Sequence, residues 1–307
     1  MSRLSNISSN PTLQTFAQGA AQSSVKMVAG FLAPTAPVPA LTGKFKKYTD
    51  KHRYKVPSTR RSLNGRATRI GFDASDANYN CAPNALDFPI DNLESLSDAQ
   101  LMNMARYGAT LLADASSLAH EVEVIDMALA ALAGGAVNIN FADDAIDPVK
   151  ELDAIIKATI LAAKNGAPIK VLFGAGAWLD IKNNAKAKGR IVTGRKNGLV
   201  DLSLDDFASL LFGTPQVQMT TVVKDTAAEG LAENMAFVLD KKVVVFASND
   251  TPNTMDPSFM KTFRLDGQWM VPGSYVPEDE RGEVLKMDWS EEIQVTNATA
   301  AKLINDQ

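Results

Sequence analysis

Hydrophobic positions in this chain change their spacing along its length. Between Leu101 and Leu132, apolar or small residues recur in steps of three and four: Leu101, Met104, Ala105, Gly108, Leu111, Leu112, Ala115, Leu118, Ala119, Val122, Ile125, Leu129 and Leu132. That spacing predicts a single long helix with one apolar stripe. Ser97-Asp-Ala-Gln100 ahead of it is a capping box, with Ser97 as N-cap and Gln100 at the third helical position. Gly134-Gly135 supplies the stop. At 1.5 Å per residue the helix is roughly 50 Å long, more than an ordinary globular helix needs.

From Asp147 onward the pattern shortens to that of an α/β unit. Asp147 caps a helix with Pro148 in its first position; Val149, Leu152, Ile155, Ile156 and Ala163 face inward and Gly166 ends it. Ile169–Phe173 reads as a buried strand, Ala177–Lys188 as a short amphipathic helix, and Leu204–Phe212 as a helix capped by Ser203 and ended by Gly213. Val217–Val223, Met235–Leu239 and Val243–Ala247 read as strands, the last two as a hairpin over Asp240-Lys-Lys242. Residues 248–268 read as a loop. Strand character returns at Gln268–Val271, Tyr275–Val276 and Glu291–Val295, and Ala298–Ile304 reads as a short helix.

Residues 1–41 show neither period. They are rich in Ser, Ala, Gln, Asn and Pro, with a short helix expected inside Leu13–Phe31 and extended geometry at Ala33–Ala40. We read them as an arm. In residues 42–94, Thr42–Arg69 alternates basic residues loosely with Phe45, Tyr48, Tyr54 and Val56. Ile70-Gly-Phe72 and Tyr79-Asn-Cys81 read as short strands around the turn-prone run Asp73–Asn78. A long two-stranded excursion fits, and such a ribbon is marginal without a surface to lie on.

Charge sharpens this picture. The chain has 307 residues and a net charge of −4. Residues 1–70 nevertheless hold six Lys and six Arg against one acid, Asp50, while the remainder holds 19 basic and 34 acidic residues. A cationic segment poor in large apolar groups needs an acidic partner: nucleic acid, a membrane surface, or another copy of this acidic chain. No apolar face suits it to a membrane, and its aromatics do not form a compact nucleic-acid module. Resting on acidic neighbours requires only what the sequence shows. No apolar run approaches a membrane span of about 20 residues, and Met1–Asn10 lacks a signal-peptide core, so a soluble protein made in a cytoplasm is expected. One cysteine, Cys81, permits no internal disulfide.

Candidate catalytic chemistry is sparse. His120-Glu121 begins like a zinc-protease helix but lacks the second His one turn on, which leaves an ordinary polar position. His52 reads as solvated or paired. Gly174-Ala-Gly-Ala-Trp-Leu179 follows a strand and precedes a helix, yet Leu179 stands where a dinucleotide loop needs Gly or Ala, so a tight turn is expected. Cys81 reads as a small buried hydrophobe. Asp143-Asp144 and Glu278-Asp-Glu280 read as solvated turns. No catalytic residue, metal ligand or cofactor site is expected.

The order of elements resembles the major capsid proteins of tailed bacteriophages, whose fold encapsulin shells share. Leu41–Tyr48 followed by Val56–Arg61 is similar to the extended loop of one branch of those proteins. Tyr79-Asn-Cys81 with Phe88-Pro-Ile-Asp91 resembles the return from that loop. Ile169–Phe173 with Ala177–Ile181 resembles the opening of the axial domain, and Asp256-Pro-Ser-Phe259 a late axial loop.

The resemblance implies an α+β tailed-phage major capsid fold. Its parts would be an N-terminal arm (1–41), an extended β-hairpin loop with its return strand (42–94), a peripheral domain with a long spine helix (95–146), an axial α/β domain (147–265) and a C-terminal return to the peripheral domain (266–307). It implies a structural protein, not an enzyme, that assembles into hexamers and pentamers of an icosahedral shell around double-stranded DNA; an encapsulin-like cargo shell and a DNA-binding α/β protein are the alternatives. It implies assembly in a host bacterial cytoplasm, with the virion capsid as destination and with scaffolding, portal and decoration proteins as partners. Forty residues are too few for a cleaved internal scaffold, so any scaffold is separate. Lys44, Lys46, Lys47, Lys51 and Lys55 lie in the loop that some relatives crosslink, but no partner Asn with its catalytic acid is identifiable. The expected intersubunit contacts are Lys44, Lys46, Lys47, Arg53, Arg60, Arg61, Arg66 and Arg69, with Phe45, Tyr48 and Tyr54.

Overall fold

The computed structural model describes residues 27–49, 56, 59–61, 63–69, 73–91, 98–164, 166–192, 202–228, 230–254, 256, 258–267, 269–278 and 282–307. The expectations for Leu13–Lys26, His52, Ile70–Phe72 and Ser97 lie outside them. In chain order the elements begin with α1 (Ala29–Leu32), β1 (Thr35–Val38), β2 (Thr42–Thr49), β3 (Asp73–Asn80), β4 (Ala82–Asp91) and α2 (Asp98–Leu132). There follow β5 (Val137–Ile139), α3 (Pro148–Ala163), β6 (Ile169–Phe173), α4 (Ala175–Asn183), α5 (Ala185–Val192) and α6 (Leu204–Leu210). The chain continues through β7 (Gln216–Met219), β8 (Val223–Asp225), β9 (Met235–Phe237), β10 (Lys242–Ala247), β11 (Met260–Leu265), β12 (Val271–Tyr275), β13 (Gly282–Val295) and β14 (Ala301–Asp306).

The helix α2 joins two separate sheets. Near its start Leu101 and Ala105 pack with Ile90 of β4; in the middle Ala109, Leu112 and Ala113 pack with Leu285 and Met287 of β13 and with Met270. At its end Val124, Ile125, Ala128 and Leu132 meet Phe246 of β10, Phe259 and Leu303 of β14. Each fully buried aliphatic side chain in these clusters contributes about 1.5–3 kcal/mol. The middle of the stripe differs from the expected one. Leu111 is 45% exposed, while Ala109, Ala113 and Ser116 are buried. Small residues win there because the sheet lies so close: a Cβ added at Gly108 would come within 2.5 Å of the Phe88 ring.

The first sheet runs β1-β11-β13-β12, with β4 paired to β13 as well. β13 pairs antiparallel over Gly282–Glu291 with β4, over Val284–Asp288 with β12 and over Glu291–Val295 with β11. β1 adds to β11 in parallel. The Pro-rich segment is therefore extended, as expected, but it also enters the core, with Ala36 and Val38 buried. The second sheet runs β5-β14-β10-β6-β7 and carries α3 and α4 against its core. β2 and β3 form a ribbon of their own in antiparallel register from Thr42↔Asn80 to Thr49↔Asp73.

Helix ends follow local chemistry. The Asp147 carboxylate accepts from Lys150 N at the start of α3, and Ser203 Oγ accepts from Asp206 N at the start of α6. The expected Ala177–Lys188 helix is instead two, α4 and α5, broken at Asn184. The buried Asn184 donates from Nδ2 to the carbonyls of Phe141, Asp143 and Ile146, and its Oδ1 accepts from Lys186 N and Ala187 N. These bonds compete successfully with continuing the helix.

Several other expectations need correction. Asp73–Asn78 is strand, because pairing with β2 outweighs its turn propensity. Met235–Phe237 pairs with β8 and not with β10, whose partners are β6 and β14. Val217–Val223 is interrupted between Met219 and Val223, where Thr220 Oγ1 accepts from Val222 N. The expected loop at 248–268 contains β11, with Met260 and Phe263 fully buried. Ala301–Asp306 is a strand after a single 3-10 turn, drawn into the sheet between β5 and β10.

Candidate assembly surface

The cationic loop grows from a root that is tightly held. Phe45 packs at 5.1 Å from Phe263, and Tyr79 stacks on the same ring at 5.2 Å. Ala36, Val38 and Cys81 complete that cluster. Gly43 is required beneath Tyr79, where an added Cβ would lie 2.4 Å from the phenol oxygen. Gln294 Nε2 donates to Asn78 O at 3.3 Å and the Glu292 carboxylate accepts from Asn80 N, which ties the ribbon to β13. Phe45, expected among the intersubunit contacts, is buried within its own subunit. It is 4% exposed because the subunit's own aromatics take it up.

The remaining expected contacts fall into two groups. Lys44 is exposed, and so are Arg60, Arg61, Arg66 and Arg69. None of the four arginines has an ion-pair partner among the described residues. Val56 and Leu63 stand out beside them at 94% and 98% exposure. The side chains of Lys46, Lys47 and Tyr48, and the whole of Arg53 and Tyr54, lie outside the described residues. A run of exposed guanidinium groups flanking exposed apolar side chains suits docking onto a carboxylate-bearing surface with two-pronged hydrogen bonds.

Two buried charge sites went unrecognised in the sequence. Glu121 is fully buried, and its carboxylate accepts from Val28 N and from Ala29 N, the latter at 2.6 Å. Burial pushes its carboxyl above the usual range, and the two backbone N–H groups only partly offset this. Its place beside His120 on an outwardly polar turn concealed it. Glu291 Oε1 accepts from Trp289 Nε1 at 3.1 Å and lies 3.2 Å from His120 Nδ1, while Oε2 accepts from Arg264 at 2.8 Å. The Arg264 guanidinium sits 3.3 Å from the centroid of the Trp269 ring. Burial would raise the Glu291 carboxyl, but His120 and then Arg264 outweigh it and hold it at about 2. His120 and Glu291 thus fasten α2 to β13. No group of three or more His, Cys, Asp or Glu suited to a metal occurs among the described residues.

The glycine turn after β6 is filled by the protein itself. Gly176 N donates to Asp240 Oδ1 at 3.0 Å, and a Cβ at Gly174 would lie 1.9 Å from Asp240 O. The space a phosphate would need at that turn is occupied. Cys81 is buried, with burial pushing its thiol up. No helix among the described residues is long and apolar enough to cross a membrane.

Neither a protein-family model nor a curated sequence matches the chain. Solved structures do. A phage-related protein of Bordetella bronchiseptica RB50 superposes with a TM-score of 0.71 at 19% identity, covering 97% of each chain. A virus-like particle from Pyrococcus furiosus matches at 0.58 and 12% identity, covering 96% of this chain and 98% of that one. The capsid of cyanophage P-SCSP1u matches at 0.55 and 12% identity, covering 90% and 86%. The chain has the α+β fold of tailed-phage major capsid proteins, which the Pyrococcus virus-like particle also matches.

Proposed function

We propose that this chain is a structural shell subunit that assembles into hexamers and pentamers of an icosahedral capsid enclosing double-stranded DNA. The observation that carries this reading is the full-length likeness to a virus-like particle and to a phage-related protein, together with an exposed arginine loop that pairs with no acid among the described residues. The arm (1–41), loop (42–94), peripheral (95–146 and 266–307) and axial (147–265) divisions are part of the same proposal. Arg60, Arg61, Arg66 and Arg69 would pair with carboxylates of neighbouring copies. A single exposed ion pair contributes only about 0–1 kcal/mol, so the effect comes from repetition over many equivalent contacts. Its role is mechanical, through area and charge. Scaffolding, portal and decoration proteins would be its partners in a virion built in a bacterial host.

The likeness to the Pyrococcus virus-like particle supports a second reading, a cargo shell without a genome. Nuclease treatment of particles from the native source separates the two. Protected double-stranded DNA supports the capsid; empty or protein-filled particles support the cargo shell.

A further inference from the structure

β8 and β9 form a two-stranded ribbon that leaves the body where Val238 N donates to Val222 O. Its register sets Val223 opposite Phe237 and Asp225 opposite Met235. Strand alternation places those four side chains on one face and Lys224 with Ala236 on the other. Lys224 Nζ lies 3.5 Å from Asp126 Oδ2 of α2, so the lysine face is turned to the body. The opposite face is open. Val223, Met235 and Phe237 are 42%, 62% and 45% exposed, and Leu231 at the tip is 71% exposed.

This face is held in shape before anything docks on it. Asp225 Oδ1 accepts from Ala227 N and Asn234 N, both at 2.9 Å, and Asn234 Nδ2 donates to Thr226 Oγ1 at 2.9 Å. Gly230 takes the left-handed conformation the tip requires, at φ +85°. A preformed surface loses little conformational entropy on binding.

Its charge selects the occupant. Residues 223–237 contain Asp225, Glu229 and Glu233, and their only cation, Lys224, is engaged by Asp126. Residues 59–69 contain four arginines and no acid, and Leu63 among them is 98% exposed. Arg60, Arg61, Leu63, Arg66 and Arg69 of the one segment and Asp225, Glu233, Met235 and Phe237 of the other are exposed, and each segment supplies what the other lacks. We propose that the open face of the β8–β9 ribbon is the docking surface for the 59–69 loop of a second copy of this chain. Leu63 seats on Met235 and Phe237, and the arginines meet Asp225 and Glu233. This rests on the shell reading above and names the acceptor for its loop.

The test is co-assembly of equal amounts of Leu63→Cys and Met235→Cys chains, each altered at one exposed position, followed by mild oxidation. The expected result is a covalent dimer on a non-reducing gel, reversed by thiol and absent from particles of either chain alone. Particles that form without such a dimer overturn the docking surface while leaving the shell reading intact. Failure of the unsubstituted chain to form particles removes both. As a second readout, Glu233→Arg lowers particle yield several-fold and adding Arg61→Glu restores part of it; no restoration contradicts the pairing.

Discussion

Glu121, in the second half of α2, accepts a hydrogen bond of 2.6 Å from the backbone N–H of Ala29, 92 residues earlier in the chain. This carboxylate clamps the start of α1 and with it the segment leading into β1. The clamp sits beside the cluster where Val28, Ala29 and Leu32 meet Val124, Ile125 and Ala128.

Removing the acceptor strands two buried donors. Glu121→Ala is expected to cost about 1–3 kcal/mol per stranded N–H. Glu121→Gln keeps one acceptor oxygen and should cost less. Denaturant unfolding gives the ranking, and limited proteolysis near residues 27–40 should rise in the same order.

The Glu291 site predicts an acid-sensitive junction between α2 and β13. Its carboxyl is held at about 2, below the ordinary 4.5. A depressed carboxylate contributes stability that is complete above pH 4.5 and is lost as pH falls toward 2. Glu291→Gln should flatten the stability profile in that window. It should also destabilise the protein at pH 7 by about 3–5 kcal/mol, because Arg264 is left buried without its counter-charge. Thermal unfolding between pH 2 and 7 measures both.

Asp306 behaves in the opposite sense. Burial first, and then the neighbouring Asp180, raise its carboxyl to about 6, against the pull of Phe141 N. A raised carboxyl contributes most at low pH, and that contribution falls as pH rises from 3.8 through 6. Asp306→Asn retains an acceptor for Phe141 N and offers Asp180 a donor. It should raise stability at pH 8 by about 1–2 kcal/mol and change little at pH 4. A variant equally destabilised at both values would refute this account of the pair.

What the sequence revealed and what it concealed divide along physical lines. The α2 helix was legible because its period persists for 35 residues, and α3 because Asp147 and Pro148 mark its start. Elements fixed by distant partners were not. β11 looked like loop because its identity depends on pairing with β13 and β1. Ala301–Asp306 has helical composition but is held by β5 and β10 on either side. In the candidate surface, charge segregation singled out Arg60, Arg61, Arg66 and Arg69, and all four are exposed. The burial of Phe45 was not legible, since nothing local shows that Phe263 closes over it.

Loop charge should control assembly. Arg60→Glu with Arg61→Glu is expected to leave the monomer folded, since both side chains are exposed, and to reduce shell yield and salt resistance strongly. Circular dichroism checks the fold and velocity sedimentation the yield. Unchanged yield and salt resistance would remove the arginines from the contact.

Electron microscopy of the purified protein tests the shell account most directly. The account predicts closed particles of icosahedral symmetry, built from five- and six-membered clusters. A uniform monomer or dimer that never forms particles, and that binds DNA with strong salt dependence, would contradict it.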